Sequence, residues 1–390
     1  MGGVRENNAR ATHVGVNAHL LSLAEGYRSA GITSYIFHLL RHLSAIAGEM
    51  EYTVFLSEKR YAGGSGLHLQ LSRLPTNRPP VRILWEQTLL PWIARREGLD
   101  LLHNMAFVGP LASSCPFVVT VHDLSFVFFP HSFRSLRRSY LRVFARMSVR
   151  RARRVIAVSE STKNDLVQIY GISPAKIDVV HHGVDASFQP LPADQVASFR
   201  QQKGLPNRFI LFVGTLEPRK NIVRLIEAYA RLPKHRPPLV LAGGKGWFYD
   251  EIFAKVEALG LTGDVRFAGF VPAEELPLWY NAADLFVYPS IYEGFGLPPL
   301  EAMACGTAVI TSTASSLPEV VGNAGQLVDP TDTDALAGAM AKVLSSRDLQ
   351  REMEAAGRVQ AAGFSWESAA QGTVDSYRRA LTPREDGPGV

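Results

Sequence analysis

Apolar positions in the second half of the chain fall in short unbroken runs: FILFVG, PLVLAGG, VRFAGF, DLFVYPS, AVITS and GQLVDP. Stretches with helical spacing of apolar residues separate them, starting near residues 221, 249, 273, 299, 317 and 333. Strands apolar on both faces and alternating with helices predict a parallel sheet covered on each side. The first half repeats the theme. HVGVNAHLL, a loop over 25–31, an amphipathic helix over 32–47 and YTVFLS make a βαβ opening. Further buried strands end at His103, at His122-Asp123 and at Ser159, followed by a helix over 160–170 and a last strand and turn over 176–185. Residues 61–79, rich in Gly, Ser, Pro and Arg, show no period and predict an exposed loop, whereas Trp85, Trp92 and the leucines around them predict core.

Between the halves, residues 186–207 carry Pro190, Pro192 and Pro206 and little regular period. The pattern therefore predicts two Rossmann-like βαβ domains, 1–190 and 208–364, joined by a linker over 191–207 and followed by a helix within 365–390. A length of 390 residues suits two cores better than one.

Composition adds that the chain is globular, with 46% hydrophobic and 20% charged residues. The longest apolar stretch, 116–130, is broken by His122-Asp123, so no membrane-spanning helix is expected. The polar start, MGGVRENNARATH, has no secretory pattern, and the cytoplasm is the expected compartment. Cys115 and Cys305 lack metal-ligand spacing and are expected as small buried hydrophobes. A net charge of +5 is compatible with anionic substrates, lipid surfaces or nucleic acid, so its distribution matters. Nine arginines lie between Arg134 and Arg154, with Leu136, Tyr140, Leu141, Phe144 and Met147 among them. That segment predicts an amphipathic helix whose cationic face is either simply solvated or rests peripherally on an anionic membrane. No recognised nucleic-acid module accompanies it, so nucleic acid is not an expected partner.

Candidate chemistry concentrates around one strand, loop and helix. The apolar run ending at Pro289 enters Ser290-Ile-Tyr-Glu293-Gly294-Phe295-Gly296-Leu297-Pro-Pro-Leu-Glu301. Gly294 and Gly296 allow a close backbone approach, and Pro298-Pro299 opens a helix whose first N–H groups can face an anion. Glu293 and Glu301 flank that helix mouth, although a pair of carboxylates at this spacing is also common on solvated surfaces. A second charged turn, Gly214-Thr-Leu-Glu-Pro-Arg219-Lys220-Asn221, follows FILFVG. Adjacent Arg and Lys at a strand's carboxyl end suit a diphosphate; alone, they read first as a surface basic pair, and Glu293 and Glu301 in the same half reverse that order. His122 ends an almost wholly apolar strand, where ligands meet such sheets.

The block EGFGLPPLEAMACGTAVIT, the turn GTLEPRKN, His122-Asp123 and the turn at Gly31 together resemble the retaining glycosyltransferases of family GT4, in particular bacterial mannosyltransferases, over most of the chain. The resemblance implies an α/β GT-B fold, with an N-terminal acceptor-binding domain and a C-terminal nucleotide-sugar domain facing each other across a cleft, the last helix crossing back to the first domain. It implies that Arg219 and Lys220 hold the donor diphosphate, Glu301 the ribose hydroxyls, and that Glu293 and His122 lie near the transferred sugar. Gly31, Gly214, Gly243, Phe270, Val271, Gly294, Phe295, Gly296 and Leu297 complete the implied donor site. Where the family commonly has a Gly-Gly pair, this chain has Ala30-Gly31, which leaves a plain turn as the other reading.

The expected activity is hexosyl transfer, mannose favoured, from a nucleotide diphosphate sugar to a lipid-linked or polysaccharide-type acceptor. GDP-mannose stands first as donor and UDP-sugars second. No cofactor is expected, and without a suitable acidic cluster no metal either. A retaining glycosidase, a sugar-nucleotide epimerase and a non-catalytic sugar-nucleotide sensor or membrane-surface scaffold remain the alternatives.

Overall fold

A computed structural model of the chain describes residues 10–23, 30–46, 50–130 and 135–383. Seven strands form the first sheet: β1 Thr12–Asn17, β2 Met50–Leu56, β3 Leu67–Leu71, β4 Leu101–Asn104, β5 Phe117–Val121, β6 Arg154–Ala157 and β7 Ile177–Val179. Six form the second: β8 Ile210–Val213, β9 Leu239–Ala242, β10 Val265–Gly269, β11 Leu285–Tyr288, β12 Val309–Ser312 and β13 Gln326–Val328. The orders are β3-β2-β1-β4-β5-β6-β7 and β10-β9-β8-β11-β12-β13. Every pairing is parallel. In each sheet the order reverses once, between β1 and β4 and between β8 and β11, which is where doubly wound sheets open a crevice for ligands. The chain is thus two Rossmann-like domains, and it buries both faces of each sheet under helices.

The helix Trp366–Leu381 lies on the N-terminal sheet, where Trp366, Ala369, Ala370, Val374 and Tyr377 join the core shared with the helix Ala30–Leu43. Tyr377 fixes it further, since its hydroxyl lies 2.6 Å from Nδ1 of the buried His103.

Four sequence expectations need correction. Residues 61–79 are not all loop: β3 pairs with β2 as an edge strand, and its half-exposed LHLQL pattern hides it from a search for buried runs. Trp92 is 56% exposed, as are Leu84 and Leu89 in large part, while Trp85 is buried. Residues 191–207 contain a regular helix, Ala193–Lys203, whose Val196 and Phe199 join the C-terminal core. The first-domain helix starts at Ala30, so Gly31 lies in its first turn rather than on a loop. The loop expected over 25–31 falls outside the described residues except for its end, and so does Arg134. Cys305 is buried and Cys115 half-buried. No helix among the described residues is long and apolar enough to cross a membrane.

Candidate functional site

The two charged turns leave neighbouring strands at the switch point of the C-terminal sheet. β8 runs through Gly214 into the short 3₁₀ turn Pro218–Lys220, and β11 runs into the loop before the helix Leu297–Ala304. Because β8 and β11 pair, their loops are stitched together: Ile291 N donates to the Arg219 carbonyl at 2.9 Å, and Ser290 Oγ lies 3.1 Å from the same oxygen. Asn221, in a left-handed conformation at φ 60° that Asn tolerates, donates from Nδ2 to the Pro289 and Pro330 carbonyls.

Glu293 is the centre of the resulting cluster. Its carboxylate accepts from Arg219 Nη1 at 3.0 Å, Lys220 Nζ at 2.6 Å, the Tyr288 hydroxyl at 3.0 Å and Ser290 Oγ at 2.5 Å. Lys220 also donates to the Tyr288 hydroxyl. Arg219 reaches Glu217 Oε1 at 2.9 Å and the Tyr292 carbonyl at 2.7 Å. Glu217, Lys220 and Glu293 are all buried. Burial works against the Glu293 carboxylate, but the charges of Arg219 and Lys220 outweigh it and hold the carboxyl well below its usual range. Burial, with Arg219 beside it, lowers the Lys220 ammonium. Two cations thus face two carboxylates, a balanced set in which Glu293 is the counter-ion an incoming diphosphate would meet.

The helix after the loop is left open. Its N-cap, Gly296, sits at φ 115° and no side chain caps the first turn, so the N–H groups of Gly296 and Leu297 stay available at its mouth, Pro298 and Pro299 having none. Glu301 lies one turn in, half-buried, accepting from the Tyr280 hydroxyl at 2.8 Å, and burial pushes its carboxyl up to about 7. Gly214 and Gly243 end β8 and β9 back to back: a Cβ on Gly243 would stand 1.9 Å from the Gly214 carbonyl oxygen. A register shift between Phe267 and Gly269 turns the end of β10, leaving Phe270 43% exposed and Val271 half-buried beside it.

The N-terminal domain contributes His122. Its Nε2 lies 2.9 Å from the Met105 carbonyl, which can only accept, so that nitrogen carries the proton. Burial lowers the imidazole's pKa and keeps it neutral. Thr162 Oγ1 lies 3.3 Å from both the His122 and the Gly294 carbonyls and shares its one hydrogen between them, tying the first domain to the glycine loop of the second. Phe295 packs on the ring of His182 at 4.9 Å, and Leu297 is half-buried at the helix start. The Tyr292 hydroxyl bridges Asp165 and the Leu124 N–H across the same boundary.

Of the expected residues, Arg219, Lys220 and Glu293 are in direct contact, and His122 meets Gly294 through Thr162. Glu301 lies on the adjoining helix with Tyr280 as its partner. Gly31 is exposed in its helix, with nothing within 4 Å of a Cβ built there. Sequence reasoning missed Glu217, Tyr288, Ser290 and Thr162. Glu217 stood inside the quoted turn, Tyr288 in the strand DLFVYPS and Ser290 at the head of the quoted loop, whereas Thr162 carries no pattern of its own.

The sequence matches the description Glycosyltransferase Family 4 over residues 14–188 and Glycosyl transferases group 1 over residues 195–360. The O-antigen chain mannosyltransferase B of Escherichia coli is 36% identical over 265 residues, 67% of this chain and 70% of that protein. The D-inositol 3-phosphate glycosyltransferase of Kribbella flavida is 30% identical over 94% of this chain and 91% of its own. Among solved structures, Anabaena HepE in complex with UDP-glucose superposes with a TM-score of 0.73 at 20% identity, covering 94% of this chain and 99% of that one. Two matched domains that together span most of the residues, and relatives at this identity, agree with the doubly wound pair of sheets and the charged switch point: the chain belongs to glycosyltransferase family 4, and it is a glycosyltransferase of the GT-B fold.

Proposed function

We propose that the protein transfers a hexose, mannose first, from a nucleotide diphosphate sugar to a hydroxyl of a lipid-linked or polysaccharide-type acceptor, with retention of configuration. The observation that carries this reading is the cluster of Arg219, Lys220 and Glu293 at the carboxyl ends of β8 and β11, beside an uncapped helix mouth. Departure of the diphosphate builds negative charge, and preorganised cations and N–H groups stabilise it without a metal ion. The bond from the sugar's anomeric carbon to the diphosphate oxygen breaks with its electron pair leaving on the diphosphate. A bond from that carbon to the acceptor oxygen forms on the same face, and the acceptor proton passes to the departing phosphate oxygen. Glu301 accepts the ribose hydroxyls. His122, neutral and oriented by Met105, lies against the sugar. Mannose is favoured by the mannosyltransferase named among the relatives; the UDP-glucose complex of HepE keeps UDP-sugars as the second choice.

The acceptor is taken at a membrane surface. Arg142, Val143, Arg146, Met147 and Arg150 are exposed along one side of the helix Ser135–Arg151, a cationic face with apolar residues in it.

Titration with GDP-mannose, UDP-glucose and dTDP-glucose, paired with release of free sugar in the absence of acceptor, tests the reading. Micromolar-range binding and slow hydrolysis of one donor are expected. Binding of none, or cleavage of simple aryl glycosides without nucleotide, overturns it.

A further inference from the structure

Glu217 and Glu293 hold Arg219 by different edges, and their surroundings differ. Glu293 is shared among Arg219, Lys220, Tyr288 and Ser290, whereas among the described residues the Glu217 side chain bonds to Arg219 alone. That side chain is only 4% exposed. The loop after β9 keeps it so: Leu216 bridges Lys245, and Gly246 N donates to the Leu216 carbonyl at 3.1 Å. A Cβ on Gly246 would stand 2.8 Å from that carbonyl oxygen and 3.3 Å from Glu217 Cβ, so glycine is what lets the loop close over the carboxylate.

A guanidinium is a rigid plane, and fixing two of its nitrogens fixes where the third points. Nη1 of Arg219 donates to the Tyr292 carbonyl at 2.7 Å and to Glu293 Oε2 at 3.0 Å, and Nε donates to Glu217 Oε1 at 3.1 Å. Nη2 stands 2.9 Å from the same Glu217 oxygen as an ion pair and makes no hydrogen bond among the described residues, so it is the nitrogen left for a ligand. Without Glu217 the plane would be held at Nη1 alone and could turn about it.

The charge of Glu217 acts in the other direction. Arg219 and Lys220 face Glu217 and Glu293 as a balanced set, and a carboxylate so little screened repels an incoming diphosphate. Catalysis gains only from contacts that are stronger in the transition state than in the ground state. An aimed Nη2 meets the charge that grows on the departing oxygen, while the carboxylate weakens binding of the resting donor.

We propose that Glu217 is a positioning residue, which acts through Arg219 to aim Nη2 at the departing diphosphate and lowers ground-state donor affinity in doing so. The proposal rests on the transferase reading above. Two variants separate its halves in the full chain: Glu217→Gln keeps the reach and removes the charge, and Glu217→Asp keeps the charge and shortens the reach. Donor Kd for GDP-mannose and UDP-glucose, kcat for donor hydrolysis without acceptor, and Tm are measured for each. Glu217→Gln is expected to lower the Kd of the donor that the wild type uses by about tenfold. Glu217→Asp is expected to lower kcat by about tenfold or more with a much smaller change in Kd, the pattern of a contact made in the transition state. A merely structural role would instead raise Kd and lower kcat and Tm together in both variants. That joint loss, a Kd that is unchanged or raised in Glu217→Gln, or a native kcat in Glu217→Asp overturns the positioning role and leaves the transferase reading standing. Absence of donor binding and hydrolysis in the wild type overturns both.

Discussion

A Cβ built on Gly294 stands 1.9 Å from the carbonyl oxygen of His122. The glycine loop of the second domain therefore meets the strand end of the first backbone to backbone at this point, and Thr162 Oγ1 lies between the same two carbonyls. Gly294→Ala has no room unless the loop withdraws. Each domain keeps its own core, so the expected result is a folded protein with near-native Tm whose transfer rate falls by about a hundredfold, the scale on which a misplaced site loses activity. Steady-state kinetics with a small-angle scattering profile check it; native kcat would show that the contact does not set the domain docking.

Lys220 is expected to matter for both chemistry and folding. Lys220→Ala removes one preorganised cation from the departing diphosphate, predicting a loss of roughly two to three powers of ten in kcat. Glu293 keeps Arg219, Tyr288 and Ser290 as partners, so the stability cost is held to about 1–3 kcal/mol instead of that of an orphaned buried charge. Donor hydrolysis and urea unfolding measure the two effects separately.

Much of this site is legible along the chain because strand, glycine loop and helix follow one another locally. Arg219, Lys220, Glu293 and Glu301 each occupy a turn or helix start that their own neighbours specify. Their partners are not local. Tyr288 and Ser290 meet Lys220 and Arg219 because β8 lies beside β11, an adjacency that strand order decides and that no periodicity carries. The same limit explains Trp92: it lies seven residues after Trp85, but the buried stripe of this helix advances in steps of four through Glu86, Leu90 and Ala94 and leaves Trp92 on the exposed side. β3 escaped for a different reason, since an edge strand exposed along half its length has no continuous apolar run to find.

In the proposed donor site, Glu301 would tie donor binding to pH. Burial raises its carboxyl to about 7, so it is protonated below that value and ionised above it. Ribose hydroxyls donate to a carboxylate, and donor affinity is expected to rise as pH increases through about 7, with Glu301→Gln flattening the profile. Stability moves the opposite way. The native state keeps the proton between the ordinary carboxyl range and about 7 while the unfolded chain has lost it, so this group's stabilising contribution is present at low pH and lost as pH rises through that window. Glu301→Gln should therefore gain stability relative to wild type at about pH 8, by on the order of 2–3 kcal/mol, and little at about pH 5. Calorimetry at both pH values with donor titrations decides it; a wild-type affinity independent of pH would show that this carboxyl does not hold the donor.

Glu319 makes the domain boundary a second time. It belongs to the helix Leu317–Val321 of the second domain yet accepts from the Glu160 and Ser161 N–H groups at 2.9 and 3.1 Å, and from His181 Nε2 at 3.3 Å. These N–H groups open the helix Glu160–Tyr170 of the first domain, where a carboxylate also complements the helix dipole. Glu319→Ala is expected to leave both domains folded, lower Tm by a few degrees and raise the donor KM, because the interface that orders the donor loop loses its anionic anchor. Unaltered Tm and KM would make the contact incidental.

The basic helix supplies the last prediction. Arg142 and Arg146 are one turn apart and exposed, with Val143 and Met147 exposed between and after them, whereas Arg138 is half-buried and donates to the Pro130 carbonyl. The surface available to a membrane is therefore the second half of the helix. Attraction of arginines to anionic headgroups is worth about 1 kcal/mol each and is screened over roughly 8–10 Å at physiological salt. Arg142→Glu with Arg146→Glu replaces two attractions by two repulsions, so vesicle binding should fall by well over tenfold while donor affinity, which the proposal assigns to the other domain, stays at its wild-type value. Co-sedimentation with vesicles of rising anionic lipid content, at low and high salt, is the measurement. Binding that ignores lipid charge, or no binding at all, would return these arginines to the role of a solvated helix face.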